Sequence, residues 1–363
     1  MIFKQITPEE FEKFALKSPY KIFLQTKEIA NLREQSGWTP YYLAALEKNK
    51  ILAATMMVAK PTFLGKSTFF APGGPLLDLE NEKIANFFLK NLKNFVKTHN
   101  GLNLIIDPYY ELIERDINGN PVKNGFNRKS ALKNLEKQGL KEVKDPSDPK
   151  YLFALNLENR KEDELFASFK QNTRNLIRRT ERQGAKIRIL EKKDLKELKK
   201  ITEKTADRRN FADRSLDYYE KMYDLFSPKN EIKFLLAEVE INGKMTPLST
   251  AMFMTYGDEV IYLFSGSDEK YMKTYNAQYL IQWEMIKFAL KNGFKRYNFY
   301  GIKGLPDEKK PGYGIYRFKK GFGGQVIELV GTYELAISPI ALVKKALSIM
   351  KQKCKWFFDK LIA

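Results

Sequence analysis

Apolar positions recur along the chain at two periods, and the changes of period mark out its elements. Ile84, Phe87, Phe88, Leu92 and Phe95 fall three and four apart, which predicts a helix over residues 81–99 with one face on a sheet. Thr7-Pro8-Glu9-Glu10-Phe11 reads as a helix start, with Thr7 as cap and Pro8 at the first helical position. A further helix is expected over 27–35, and apolar runs at 40–46, 51–59, 67–71 and 102–106 read as strands. The loop Pro72-Gly73-Gly74-Pro75 follows the third strand.

The second half repeats this order. Strands are predicted at 234–239, 248–256 and 260–264, then a loop Ser265-Gly266-Ser267, a helix over 278–290 and a strand over 296–300. Asn100-Gly101 and Asn292-Gly293 each end the long helix before the last strand, consistent with a left-handed glycine at each place. The repeat predicts a duplicated unit of hairpin, strand, helix and strand; ordinary α/β punctuation is the alternative. Two prolines and four charges in residues 144–150 read as a linker. The expected organisation is α/β: a first unit at 1–148, a second at 149–330, and a segment at 331–363 that returns to the first unit and ends in an amphipathic helix.

Composition narrows the chemistry. The 363 residues suffice for two cores, and 43% hydrophobic with 29% charged residues is a globular balance. Sixty-three Lys and Arg against 44 Asp and Glu leave a net charge of +19, which suggests a polyanionic partner: nucleic acid, phosphorylated substrate or anionic membrane. The single histidine, His99, and single cysteine, Cys354, exclude a His/Cys zinc cluster and confine any Ser-His or Cys-His catalysis to His99. His99 stands at the expected polar end of a helix. No run of 18 apolar residues is present and the N-terminus does not read as a signal peptide, so a cytoplasmic protein is expected.

The strongest local charge feature is a helix expected over 161–183. Lys170, Arg174, Arg178 and Arg182 follow one another four apart and form a stripe on one face, widened by Arg179, Lys186 and Arg188. Guanidinium groups donate paired hydrogen bonds to phosphates, so the stripe suits an RNA backbone or another polyphosphate, with a solvated face as the alternative. At the C-terminus, Ile340, Val343, Leu347, Met350, Cys354, Phe357 and Leu361 alternate three and four apart among six lysines. Such a helix can dock on its own core, pair with another chain or lie on an anionic membrane. The membrane surface is the expectation adopted, with Trp356, Phe357 and Phe358 at headgroup level.

The order of motifs resembles the FemA/FemX-type (FemABX) peptidyltransferases. The resemblance rests on Gln25 with Arg33 and Trp38, the Ala71-Pro72-Gly73-Gly74-Pro75 loop, Ile106-Asp107-Pro108, the arginine-rich helix, residues 206–214 followed by Tyr218-Tyr219, residues 262–267, and residues 316–323. It implies two acetyltransferase-like (GNAT) units, in the subtype without a coiled-coil arm. It also implies transfer of an amino acid from aminoacyl-tRNA to the stem-peptide amine of a peptidoglycan precursor, carried as a UDP-linked or lipid-linked muramyl pentapeptide. By the same resemblance Arg33 and Arg214 hold the precursor's phosphates, Tyr218 and Asp107 line its pocket, and Lys319 stabilises the transition state. Without the resemblance these side chains read as helix-surface charges (Arg33 and Arg214), a packed aromatic, a strand-end cap and a loop lysine.

An aminoacyl ester and an amine acceptor need no enzyme nucleophile, metal or redox cofactor, so none is expected. Alignment of the two substrates supplies much of the acceleration, and a fixed cation stabilises the developing oxyanion. An acyl-CoA-dependent GNAT N-acyltransferase is the enzymatic rival, but neither half carries the Gln/Arg-x-x-Gly-x-Gly/Ala pyrophosphate loop. A non-catalytic RNA-binding or membrane-surface protein is the rival of another class.

Overall fold

The structure, a computed structural model, describes residues 1–62, 64–144, 146, 148–310 and 312–341. The chain forms two compact units, one of residues 1–110, 128–148 and the segment from Val330, the other of residues 111–127 and 149–329.

The first unit opens with β1 (Ile2–Gln5), α1 (Pro8–Lys17) and α2 (Lys27–Glu34), followed by β2 (Thr39–Glu47) and β3 (Lys50–Pro61). Then come β4 (Ser67–Ala71), α3 (Glu82–Thr98) and β5 (Gly101–Ile106). Thr7 and Glu10 close a reciprocal capping box at the start of α1. The stripe of α3 that meets the sheet is Ala85, Phe88, Leu89, Leu92 and Val96, one residue displaced from the expected set, with Ile84, Phe87 and Phe95 half-buried at its margin. His99 is exposed at the helix end, stacked on Phe95 at 3.9 Å. The left-handed residue there is Asn100 and not Gly101, because Gly101 is already the first residue of β5. A side chain at Gly101 would run into Val96, which accounts for the glycine.

Next, β6 (Glu111–Arg115) pairs with a late strand of the second unit, so residues 111–127 group with that unit although they precede the linker. The chain returns to the first unit for α4 (Ser130–Lys137) and β7 (Lys141–Glu142), then enters the second for good at β8 (Tyr151–Asn156). There follow α5 (Glu162–Ser168), α6 (Gln171–Arg182), β9 (Lys186–Ile189), α7 (Leu195–Arg209) and α8 (Leu216–Phe226). The core strands are β10 (Ile232–Ile241), β11 (Lys244–Tyr256) and β12 (Glu259–Ser267), then α9 (Glu269–Tyr275), α10 (Ala277–Lys291) and β13 (Arg296–Ile302). Last come α11 (Tyr313–Lys320), β14 (Gln325–Leu329) and β15 (Tyr333–Ala336), which pairs with β5 and β7 of the first unit.

Strand order makes the duplication explicit. One sheet runs β1-β2-β3-β4-β5-β15-β7, the other β6-β14-β8-β13-β12-β11-β10-β9. In each, three antiparallel strands are followed by one parallel step, β4 on β5 and β12 on β13, with α3 or α10 as the crossover. Such a step needs a helix-length connection, which explains why a long helix recurs at this place in both halves.

Three expectations are corrected. Residues 265–267 are not a loop but the end of β12, paired with residues 249–251 of β11. The single basic helix over 161–183 is two helices, because Phe169 and Lys170 are extended: Phe169 is buried against Trp283 and Phe322, and Lys170 N donates to Gly321 O at 2.9 Å. Arg214 lies in the connection between α7 and α8 and not in a helix. These two helices, 15 and 11 residues long, leave no extended arm among the described residues. No helix among those residues is long and apolar enough to cross a membrane. The expected C-terminal amphipathic helix lies, from residue 342 on, outside the described residues.

Candidate active site

In the first unit a loop is held rigidly at the end of the parallel strand pair. Gln25 is fully buried just ahead of α2. Its Nε2 donates to Pro72 O at 2.7 Å and Met56 O at 2.8 Å, while Oε1 accepts from Met56 N at 2.8 Å. One amide thereby ties the loop after β4 to the middle of β3. Gly73 has φ +66°, and a Cβ there would stand 2.6 Å from the Ile22 methyl, so both conformation and space demand glycine. Asp107, the residue after β5, accepts from Gly73 N at 2.6 Å. Burial, and then the neighbouring Asp148 carboxylate, push the Asp107 carboxyl well above the usual carboxylate range, against the pull of the Gly73 N–H and the Arg33 charge.

Arg33 occupies the last turn of α2. Its guanidinium lies over Trp38 at 5.8 Å and Phe70 at 6.0 Å, and Lys60 approaches the same Trp38 ring at 5.5 Å. Two cations share one aromatic plate, an arrangement that holds positive charge without neutralising it.

In the second unit Asn210 ends α7 in the left-handed conformation, and residues 210–215 lead to α8. Asp213 anchors this connection. It accepts from Lys199 Nζ at 2.7 Å, Thr202 Oγ1 at 2.8 Å and the Tyr219 hydroxyl at 3.1 Å. Burial raises the Asp213 pKa, but the hydrogen bonds from Lys199 and Thr202 and the Lys199 charge outweigh it and leave the group below its ordinary value. Arg214, beside this anchor, lies over Tyr218 at 5.1 Å and Phe264 at 5.7 Å. Arg214 and Tyr218 are thus brought together.

Lys319 has an environment of its own. It is 4% exposed, and Nζ donates to Gly301 O at 2.6 Å and Tyr300 O at 3.2 Å. Those carbonyls are turned inward by an irregularity of β13: its pairing with β8 slips between Asn298 and Gly301, and Tyr300 takes φ +61°. Asn298 Oδ1 fixes the kink by accepting from Tyr300 N at 2.7 Å. Neutral carbonyls do not compensate the loss of water, and burial lowers the Lys319 pKa to about 7.

The basic stripe is only partly available. Arg174 donates to Ala167 O at 2.5 Å and Phe169 O at 2.6 Å, satisfying the last carbonyls of α5. Arg178 rests over Phe166 at 5.1 Å, and Arg182 reaches back to Arg178 O at 3.4 Å. Arg188, which seemed to widen the patch, is held by Asp194, Glu197 and Glu238. Between β12 and α10, where a GNAT would cradle pyrophosphate, Asp268 caps α9 and pairs with Lys204. A carboxylate at that helix start repels a pyrophosphate. No group of three or more His, Cys, Asp or Glu suited to a metal occurs among the described residues.

Sequence reasoning missed the support rather than the charged groups. The Gln25 clamp was visible only as a motif letter. Asp213 and the Asn298–Tyr300 kink carry no periodic signal at all.

The FemAB family model matches residues 6–246 and 240–348. Aminoacyltransferase FemA of Staphylococcus aureus is 26% identical over a 419-residue alignment covering 97% of this chain and 100% of that relative. Among solved structures, the crystal structure of FemX is similar with a TM-score of 0.79 at 20% identity, over 92% of this chain and 97% of the other. A tandem GNAT protein from the clavulanic acid biosynthesis pathway is similar with a TM-score of 0.56 at 8% identity, over 93% and 99%.

Proposed function

Because the chain belongs to the FemAB family, we propose that it is an aminoacyltransferase that moves an amino acid from aminoacyl-tRNA onto the stem-peptide amine of a peptidoglycan precursor, building an interpeptide bridge. The observation that carries this reading is Lys319: a buried ammonium whose hydrogen-bond partners are two strand carbonyls at the end of a parallel strand pair. Such a group is costly to maintain, and a developing oxyanion is what it suits.

The acceptor amine attacks the ester carbonyl carbon. A C–N bond forms, the C–O bond to the ribose breaks, and the amine proton ends on the departing ribose oxygen, so that the substrates supply the proton path. Lys319 stabilises the negative charge that develops on the carbonyl oxygen. Arg33 and Arg214 hold the precursor's phosphates, each kept in place by aromatic rings instead of by a competing carboxylate. Tyr218 supports Arg214. Asp107 serves by fixing the Gly73 loop, whose amide it accepts at 2.6 Å.

Lys170, Arg178 and Arg182 provide the tRNA contact, and Arg174 shapes it. The lysine-rich segment from residue 340 favours the lipid-linked acceptor at the inner membrane face. Vesicle co-sedimentation of the full chain and of a chain ending at Ser338, which keeps β15 whole, tests that preference, and equal sedimentation refutes it. The principal experiment is transfer by purified protein from a mixture of charged tRNAs to UDP-linked and lipid-linked muramyl pentapeptide. Absence of transfer from any charged tRNA, with acyl-CoA accepted in its place, would overturn the reading in favour of a GNAT N-acyltransferase.

A further inference from the structure

One end of the first unit gathers three segments that are far apart in sequence. It is the end at which β4 and β5 begin, opposite the crevice of Gly73 and Asp107. Ser67 N donates to Asn100 O at 3.1 Å, which sets the β3–β4 turn beside the end of α3. Ile337 N and Ser338 N both donate to Leu102 O at 3.0 Å, which brings the end of β15 to the same place. From there the chain runs on into residues 342–363, whose sequence holds six lysines against the single Asp359.

The tip of the turn is unusual in two respects. Leu64 is 75% exposed, and it takes a left-handed φ of +56° ahead of Gly65 at +65°. That conformation disfavours a leucine, and glycine or asparagine is its ordinary occupant. So exposed a side chain gains nothing from packing in the fold, so its use lies outside it. The charge around the tip is of one sign. Lys66 follows the tip and the exposed Lys97 stands in the last turn of α3, and neither is ion-paired among the described residues. From residue 83 to 106 the chain carries Lys83, Lys90, Lys93 and Lys97 and no acid, whereas the surface helix α7 alternates its lysines with Glu197, Glu203 and Asp207. The acids Glu9, Glu10 and Glu34 sit apart from this set, on α1 and α2.

We infer that this end of the first unit docks on an anionic membrane surface, with Leu64 entering the acyl boundary and Lys66, Lys93 and Lys97 against the headgroups. The inference deepens the proposed function and rests on it for the lipid-linked acceptor. An aliphatic tip among lysines matches a surface that is negative at its face and apolar beneath. RNA offers Leu64 no such layer, because single strands are held by stacking on aromatic rings. Residues 342–363, with their six lysines, are repelled by this patch and not drawn to cover it. Docking here also places the acceptor. Arg33 lies over Phe70, about 10 Å along β4 from Ser67, so a diphosphate at headgroup level comes within reach of its side chain.

The test is co-sedimentation of the full chain with vesicles of phosphatidylglycerol and phosphatidylcholine, and with vesicles of phosphatidylcholine alone. Wild type is compared with Leu64→Asn and with Lys66→Gln combined with Lys97→Gln. On the anionic vesicles the lysine pair should bind about thirtyfold more weakly, about fivefold for each charge, and Leu64→Asn about tenfold more weakly. On phosphatidylcholine alone the lysine pair should match wild type. Leu64→Asn should melt no lower than wild type, because asparagine suits the left-handed backbone. Wild-type affinity for the anionic vesicles in either variant overturns the inference. A clearly lower melting temperature for Leu64→Asn also overturns it, by showing that the chain itself covers the leucine. So does a lysine pair that loses affinity for an acceptor-stem RNA hairpin while vesicle binding is unmoved, which would assign the patch to RNA. Transfer from charged tRNA to the UDP-linked precursor needs no membrane and should be equal in wild type and variants, so its failure in wild type marks failure of the proposed function alone.

Discussion

The Lys319 ammonium should show its burial twice, in rate and in stability. Its pKa near 7 means that the protonated fraction in the free protein falls to about a tenth at pH 8 and about a hundredth at pH 9. If the cation stabilises the transition state, kcat/KM for aminoacyl-tRNA follows that fraction and loses about tenfold per pH unit above 7, since this parameter reports groups of the free enzyme. Lys319→Arg, whose charge does not titrate, should remove the decline while lowering the plateau. Lys319→Met should lower kcat by about 10² or more. Stability moves in the opposite sense. In the unfolded chain the amine keeps its ordinary value of 10.5, so below pH 7 both states are protonated and the folded state bears the full cost of a buried charge. Between pH 7 and 10.5 the unfolded chain binds a proton that the folded chain lacks, and stability rises with pH. From pH 7 to 9 the gain is about 2 kcal/mol. Urea titrations of wild type and Lys319→Met at both pH values isolate this term, because other titrating groups cancel in the difference. A flat difference would show that the amine is solvated. A pH-independent kcat/KM in a chain whose stability does carry the slope would show that the buried cation is structural and not catalytic.

Arg33→Ala and Arg214→Ala should each weaken precursor binding by about 1.5 to 3 kcal/mol, the worth of a hydrogen bond to a charged group; calorimetric titration with UDP-linked precursor checks this, and wild-type affinity in both places the phosphates elsewhere. Arg178→Gln combined with Arg182→Gln should reduce the salt slope of tRNA binding by about 1.4 to 1.8, whereas Arg174→Ala should leave the slope alone and lower stability by about 1 kcal/mol through the lost contacts to the end of α5. Gly73→Ala should cost about 2 to 4 kcal/mol in chemical denaturation, from a left-handed backbone and the Ile22 contact together, and a change under 0.5 kcal/mol would refute the close packing of that loop.

The parts of the fold that one period of apolar residues determines were legible. The α3 and α10 helices, the hairpins and the repeat itself follow from local pattern, and the capping box of α1 is written in four letters. What was not legible depends on contacts across the fold. Leu165, Phe166, Phe169, Leu176 and Ile177 keep a roughly helical spacing through the break at Phe169, since an extended residue can also bury an apolar side chain. The break is set by Gly321 O, about 150 positions away, receiving the Lys170 amide. Likewise nothing in Arg296-Tyr297-Asn298-Phe299-Tyr300 announces a left-handed tyrosine, because that strain is stabilised by Asn298 and by the Lys319 ammonium that uses the exposed carbonyls. Charged residues could be named from a motif. Their strength could not, because it turns on partners: Arg188 is matched by three carboxylates, while Arg33 and Arg214 are set against rings.

Under the proposed function, the duplication gives the chemistry two equivalent places in the fold. In an open sheet the place at which a parallel pair ends is a natural crevice, since the strands leave in different directions and their last peptide groups have no neighbour on that side. Each unit has one such place. In the first, Asp107 follows β5 and grips the loop that follows β4, so the crevice is closed around a fixed backbone. In the second, the β12 and β13 ladder stops at Ile261 and Asn298, and beyond it the kinked β13 turns two carbonyls toward Lys319. The same topological position thus carries a rigid loop in one copy and a buried cation in the other. A group-transfer reaction with two large substrates and no enzyme nucleophile needs one surface that holds and one charge that stabilises. Duplication of a single unit, followed by divergence at its one crevice, supplies both without a new fold.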